Sequence, residues 1–429
     1  MNKHVFVIAL SFFSISLSSQ KKPDHIAFIN ATAHIGNGQV IEKSLFVIKG
    51  DKIESIMDVT GIKLNPAAFD TVIDLSDKHL YPALINANNI LGLHDAEAVR
   101  ATLDFSEVGQ LNPHVRALIA YNTDNLIIPT VKTNGVLYTQ VTPRGGLISG
   151  SSSIMALEGW NWEDAVLKAD DGIHLDFPLS IEARTNESED QFKKRQVQHA
   201  SKMEELNRFF EDAKAYHNSE IKAETNLRFE AMKNVFAGKT RLYVHANKAK
   251  DLLKVIAFVQ HHNIKLPVLV GGKEAYKVLN ELKRSGIPLM LNRVNDLPTK
   301  EDDEVDIVFK LPALLQKDSI LFCLQLEGDM EAMQSRNLPF NAGNAVAYGL
   351  SKEQALAAIS LNAAKIMGVS TLIGSLEDGK LASFVVSDGD LLDIKSNLVI
   401  FACIAGNPIQ LNNKQSELYI RYLNKYKLR

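Results

Sequence analysis

Cysteine is nearly absent from this chain of 429 residues: only Cys323 and Cys403 occur, far apart and with no CxxC spacing. That excludes a disulfide framework and a thiolate metal site. An excess of basic charge is also missing. The formal charge is −3, so the electrostatic footprint of a nucleic-acid binder is not there. The loop Gly145–Ser153 is rich in glycine and serine, yet GxxxxGK[ST] is missing and no lysine follows, which rules out a P-loop. Ser151 to Ser153 do not form a G-x-S-x-G elbow, so a serine hydrolase has no support. Cys323 reads better as a buried, inert thiol than as a nucleophile.

Long hydrophobic runs are lacking as well, with one exception at the start. Lys3 and His4 precede the apolar run Val5–Leu17, and Ser18-Ser19-Gln20 follows. A charged start, a short apolar stretch and small residues are the layout of a secretory signal peptide. The run is too short to span a membrane comfortably. The expectation is cleavage near Gln20 and export, to the periplasm or beyond the cell, with no stable membrane anchor afterwards.

What is present is a strand–helix alternation. Arg241–Ala246 reads as a buried strand ending near His245, followed by a helix from about Lys248 to His261. Leu266–Val270 is a second strand, and a helix from about Lys273 to Arg284 comes next. This is the βαβ pattern of a parallel sheet, whose strand carboxyl ends carry the chemistry. Gly135–Gln140, Ile287–Leu291 and Ile320–Leu326 are further strand candidates. Thr142–Ser153 reads as tight turns of a rim loop, in which Arg144 or backbone N–H groups could hold a carboxylate. Asn186–Ala237 reads as one or two long, solvated surface helices. Short β-runs fill residues 24–75 and 373–411, and Gln415–Tyr426 closes the chain as an amphipathic helix. Ser351 and Gln354 form a capping box for a helix over Leu350–Met367.

Several segments resemble the amidohydrolase superfamily. They are Gly349–Leu356, Asn362–Gly368, Ile373–Lys380 and Asp388–Leu392 near the end of the chain, and Ile29–Ala31 through Gly50–Ile53 near its start. The segments Pro143–Ser153, Trp160–Asp164 and Arg336–Phe340 resemble an exported subgroup related to imidazolonepropionases and prolidase-type members. The resemblance implies an α/β fold: a (β/α)8 TIM-like barrel with a small β-sandwich built from both chain ends. The implied divisions are a signal peptide at 1–19, sandwich parts at 20–80 and 370–412, and a C-terminal helix at 413–429. The barrel spans 81–369, with a helical insertion at about 186–237.

The resemblance also implies metal-assisted hydrolysis of carbon–nitrogen bonds in a cyclic amide or small dipeptide-like substrate. A divalent ion, zinc first among candidates, would activate water at the strand ends. The family pattern uses an HxH pair on strand one, a carboxylated lysine or glutamate, histidines on strands five and six, and an aspartate on strand eight. Here Asn88 and Ile90 stand where the HxH histidines belong, and glycine (Leu269-Val270-Gly271-Gly272) replaces the strand-six histidine. His245 matches the strand-five ligand. At strand eight, Glu327 or Asp329 would move the proton. Asn86, Asn88 and Arg144 are the candidate substrate contacts. His94, Asp95, Glu97, Asp104, Glu107 and His114 are candidates for a rebuilt donor set. The rival expectation is a non-catalytic barrel that binds a small ligand or a partner at the same mouth. Self-association stays open, and nucleic acid is not expected.

Overall fold

The computed structural model describes residues 24–96, 98–182, 184, 186–219 and 224–427. The signal-peptide reading at 1–19 and the candidate Glu97 therefore lie outside the described residues. Two eight-stranded sheets form a mixed α/β molecule. One gathers strands from both chain ends: β1 (His25–His34), β2 (Val40–Lys49), β3 (Lys52–Asp58), β4 (Thr71–Asp74) and β5 (His79–Pro82). To these the end of the chain adds β14 (Phe384–Ser387), β15 (Val399–Ile404) and β16 (Asn407–Pro408). The join is antiparallel pairing of β5 with β14, packed by Phe28, Phe46 and Phe384.

The second sheet runs in chain order from β6 (Leu84–Asn89) through β7 (Val136–Val141), β8 (Ile148–Ala156), β9 (Val166–Asp176), β10 (Arg241–Ala246), β11 (Pro267–Gly271) and β12 (Leu289–Leu291) to β13 (Phe322–Leu324). A single parallel bridge between Ala87 and Gln325 draws its two edges together, so the sheet is a nearly closed barrel.

The barrel departs from an eightfold β/α repeat at one place. β8 runs antiparallel to both β7 and β9. The stretch expected to be rim loop up to Ser153 is, from Ile148 onward, a fully buried strand. Sequence pattern misreads it because Gly150 and three serines resemble a turn. The serines find partners on both faces of the strand: Ser152 donates to the buried Asp171, while the Ser151 hydroxyl donates to Asp170 and Ser153 accepts from the Asp170 N–H.

The expected helical stretch resolves into two helices, Glu189–Asn218 and Leu227–Phe236. They are not simply solvated, because Leu206, Phe209, Phe210 and Ala213 are buried against the barrel core. Among the described residues, no helix is long and apolar enough to cross a membrane.

Candidate functional site at the barrel mouth

His245 lies one residue from the end of β10, and its ring meets β9 and the loop after β13. Its Nε2 is 2.9 Å from Nδ1 of His174 on β9. Its Nδ1 is 3.7 Å from Glu327 and 3.9 Å from Asp176, which ends β9. His174 was not legible as a site residue. Its only signal is a histidine placed in alternation between Ile173 and Leu175, which is also what a buried structural histidine looks like.

Below the mouth the polar chain continues inward. His174 Nε2 lies 2.9 Å from the Ser152 hydroxyl, which donates to Asp171 at 2.7 Å. In its ionised form Asp171 also accepts from Tyr243 at 2.5 Å and from the Gln140 amide at 3.0 Å. Ser152 has one proton and spends it on Asp171, so His174 Nε2 must donate and His174 Nδ1 must accept from His245. Burial, with the charges of His245 and Arg144, holds the His174 pKa well below the ordinary histidine value. A neutral His174 with one donor and one acceptor nitrogen satisfies every bond.

The mouth itself is charged. Burial alone would lower the His245 pKa, but the Glu327 carboxylate and then Asp176 outweigh it, and the net shift is upward. Burial would raise Glu327, yet His245, Arg144 and the Asn88 amide hold it down at about 2. Each shift favours the charged form of its group, His245 upward and Glu327 downward. The pair is open to solvent, with the Glu327 side chain 30% exposed and that of His245 12%. Of the two strand-eight candidates, Glu327 faces the mouth, while Asp329 is exposed.

Arg144 supplies the other cation. It donates to the Asn88 side chain at 2.9 Å, to the Asn88 carbonyl at 3.0 Å and to Glu331 at 3.1 Å. The Asn88 amide N–H2 in turn donates to Glu327 at 3.0 Å. Asn88 sits at φ +49, a left-handed conformation that asparagine tolerates better than most residues. Asn86 is buried and donates to Ser335 at 2.8 Å; among the described residues its Oδ1 has no partner.

The donors do not suit the divalent ion on which the family generally depends. The two imidazoles are bonded to each other, Asn88 is taken by Arg144 and Glu327, and Ile90 offers nothing. At the strand-six position Gly271 has φ +107, and a Cβ there would lie 2.6 Å from Asn247 Oδ1, so a histidine is not readily accommodated. The rebuilt donor set does not assemble either. His114, Asp104 and Glu107 are exposed, and Asp95 bonds Asn122 and Asn125. Among the described residues, no three His, Cys, Asp or Glu side chains converge as an ion-binding group. Cys323 is fully buried and its thiol is pushed far up by burial, which removes it as a nucleophile.

Comparison with known proteins agrees with this architecture. An amidohydrolase from Thermotoga maritima MSB8 is 24% identical, with a TM-score of 0.73 over 90% of this chain and 99% of that one. A Xaa-Pro dipeptidase crystallised with methionine in its active site is 12% identical, with a TM-score of 0.53 over 90% and 100% of the two chains. Molinate hydrolase is 14% identical, with a TM-score of 0.53 over 91% and 95%. At these identities the likeness is one of fold. No curated protein matches the sequence. The family model for the amidohydrolase family matches residues 183–411, more than half of the chain. The chain belongs to the amidohydrolase family.

Proposed function

We propose that this is an exported amidohydrolase-family barrel whose mouth binds a small polar ligand without a resident divalent ion. The observation that carries this reading is the seat of Arg144. Its guanidinium is bonded to Asn88, at a family metal-ligand position, and to the buried Glu331. A fixed cation there opposes a second cation, and it neutralises the carboxylates that would otherwise attract one. Export rests on the pattern of residues 3–20, and the closed β-sandwich from both chain ends is part of the same family reading.

A second reading is hydrolysis of a carbon–nitrogen bond at this mouth. It is favoured by the family and by the contact of Glu327 with His245. In that reading protonated His245 gives a proton to the leaving nitrogen. Glu327, held at about 2, is a weak base for activating water at neutral pH.

Elemental mass spectrometry of the purified mature protein, before and after incubation with excess zinc or manganese, tests whether the mouth holds a metal, and a screen of amides and dipeptides for hydrolysis tests the second reading. The expected result is no stoichiometric metal in either state. Near-stoichiometric metal that is lost in His245→Ala would overturn the metal-free reading and direct a screen of amides and dipeptides.

A further inference from the structure

Beside the mouth, a cleft of about 660 Å³ opens along the loops that follow β12 and β13 and the helix Leu338–Ala347. Arg293, Asn295, Gln334 and Asn344 contribute its polar wall, and Phe340 and Ile394 part of its apolar wall. Arg293 is half-buried, and among the described residues it makes no hydrogen bond and no ion pair. Asp296, which feels its charge, is already paired with Lys273 at 2.8 Å. Gly328 follows Glu327 directly, and a Cβ on it would lie 2.3 Å from Arg293 Nη2. The glycine therefore leaves the space that the guanidinium occupies next to the strand-eight loop.

The amides on this wall are oriented. The Asn341 amide N–H2 donates to Asn295 Oδ1 at 2.9 Å, and Asn341 Oδ1 in turn accepts the Val294 N–H. The Asn337 amide N–H2 donates to Gln334 Oε1 at 2.6 Å. With their carbonyl oxygens each accepting from a neighbouring amide, Asn295 and Gln334 keep their N–H2 groups for a ligand. The cleft also holds Lys352, Asp390 and Asp393, but Lys352 is paired with Asp390, and Asp393 accepts from the Lys395 N–H and the Ser396 hydroxyl. Arg293, with the amides of Asn295 and Gln334, is the part of the wall left to donate to a ligand.

We propose that this cleft is a binding site for a small organic carboxylate with an apolar body, such as an N-acylated amino acid or the carboxyl end of a short peptide. The carboxylate accepts from Arg293, Asn295 and Gln334, where a planar guanidinium matches its two oxygens. The apolar body lies against Phe340 and Ile394. The assignment does not depend on whether the barrel mouth is metal-free.

Isothermal titration of the mature protein with N-acetyl-L-leucine and with N-acetyl-L-leucinamide tests it, since the two probes differ at the carboxylate alone. The acid should bind, and the amide should bind about tenfold more weakly or worse. Arg293→Met should weaken the acid by a similar factor and leave the amide unchanged, while Arg293→Lys keeps part of the preference. Asn295→Ala with Gln334→Ala is the companion variant should Arg293→Met not fold. Equal affinity for both probes, no heat from the acid at solubility-limited concentration, or full acid binding in the folded variants would overturn the proposal.

Discussion

Arg144 and Arg293 stand on loops that follow barrel strands, and only one of them is neutralised. Arg144 is 18% exposed in its side chain and paired with a Glu331 that is 7% exposed. Arg293 faces a cleft whose own carboxylates, Asp390 and Asp393, are bonded to other partners. A buried charge whose partners are all protein groups acts as structure, because removing either partner leaves the other charge stranded. A half-exposed charge with no partner costs the fold little and stays available to a ligand. The two arginines thus divide the labour: one holds the mouth together and the other is free to recognise.

Three changes test that division. The largest effect is expected from Glu331→Ala, which strands the Arg144 guanidinium. Urea denaturation should show a loss of about 3–5 kcal/mol, against less than about 0.5 kcal/mol for Arg293→Met. Similar losses for the two would erase the distinction. Next is His174→Ala, which leaves the His245 Nε2–H without its acceptor and takes one donor from the Ser152 oxygen. A loss of about 1–3 kcal/mol is expected in the same assay.

The smallest change is one of pH dependence. The Glu327 pKa is depressed in the folded protein, from 4.5 to about 2. Its contribution is therefore fully present above the unfolded value and is lost as pH falls from 4.5 towards 2. His245 shifts the opposite way, so its share is present below 6.5 and is lost as pH rises through its raised folded value. In Glu327→Gln both slopes should flatten, measured as urea midpoints across pH. An unchanged profile would mean that the pair adds nothing to folding.

Much of this was legible in the sequence for identifiable reasons. The strand at Arg241–Ala246, the helix after it, the capping box of Ser351 with Gln354, and the closing helix at Lys414–Tyr426 follow local periodicity and capping, which act over a few residues. His245 was placed correctly at a strand end by the same means. What stayed hidden depends on partners far along the chain. His174 matters through its bonds to Ser152 and His245, and Arg144 through Asn88 and Glu331. Direction is equally invisible in local pattern. A buried strand reads the same whether its neighbours are parallel or antiparallel, so the inversion of β8 had no signature. The choice between Glu327 and Asp329 needed the path of the turn after β13.

That inverted strand has a consequence for how this barrel can change. Ordinary barrels carry their working residues on loops leading from strand to helix, and such loops lengthen freely between lineages. Arg144 rides instead on a hairpin between two paired strands. The hairpin is stitched at both ends, by the Thr142 N–H to the Asn89 carbonyl and the Leu147 N–H to the Gln110 carbonyl. An insertion that slipped the register of β8 by one residue would take Ser152 away from Asp171 and His174. The guanidinium is a fixed post, and adaptation to new ligands has to come from the loops that surround it.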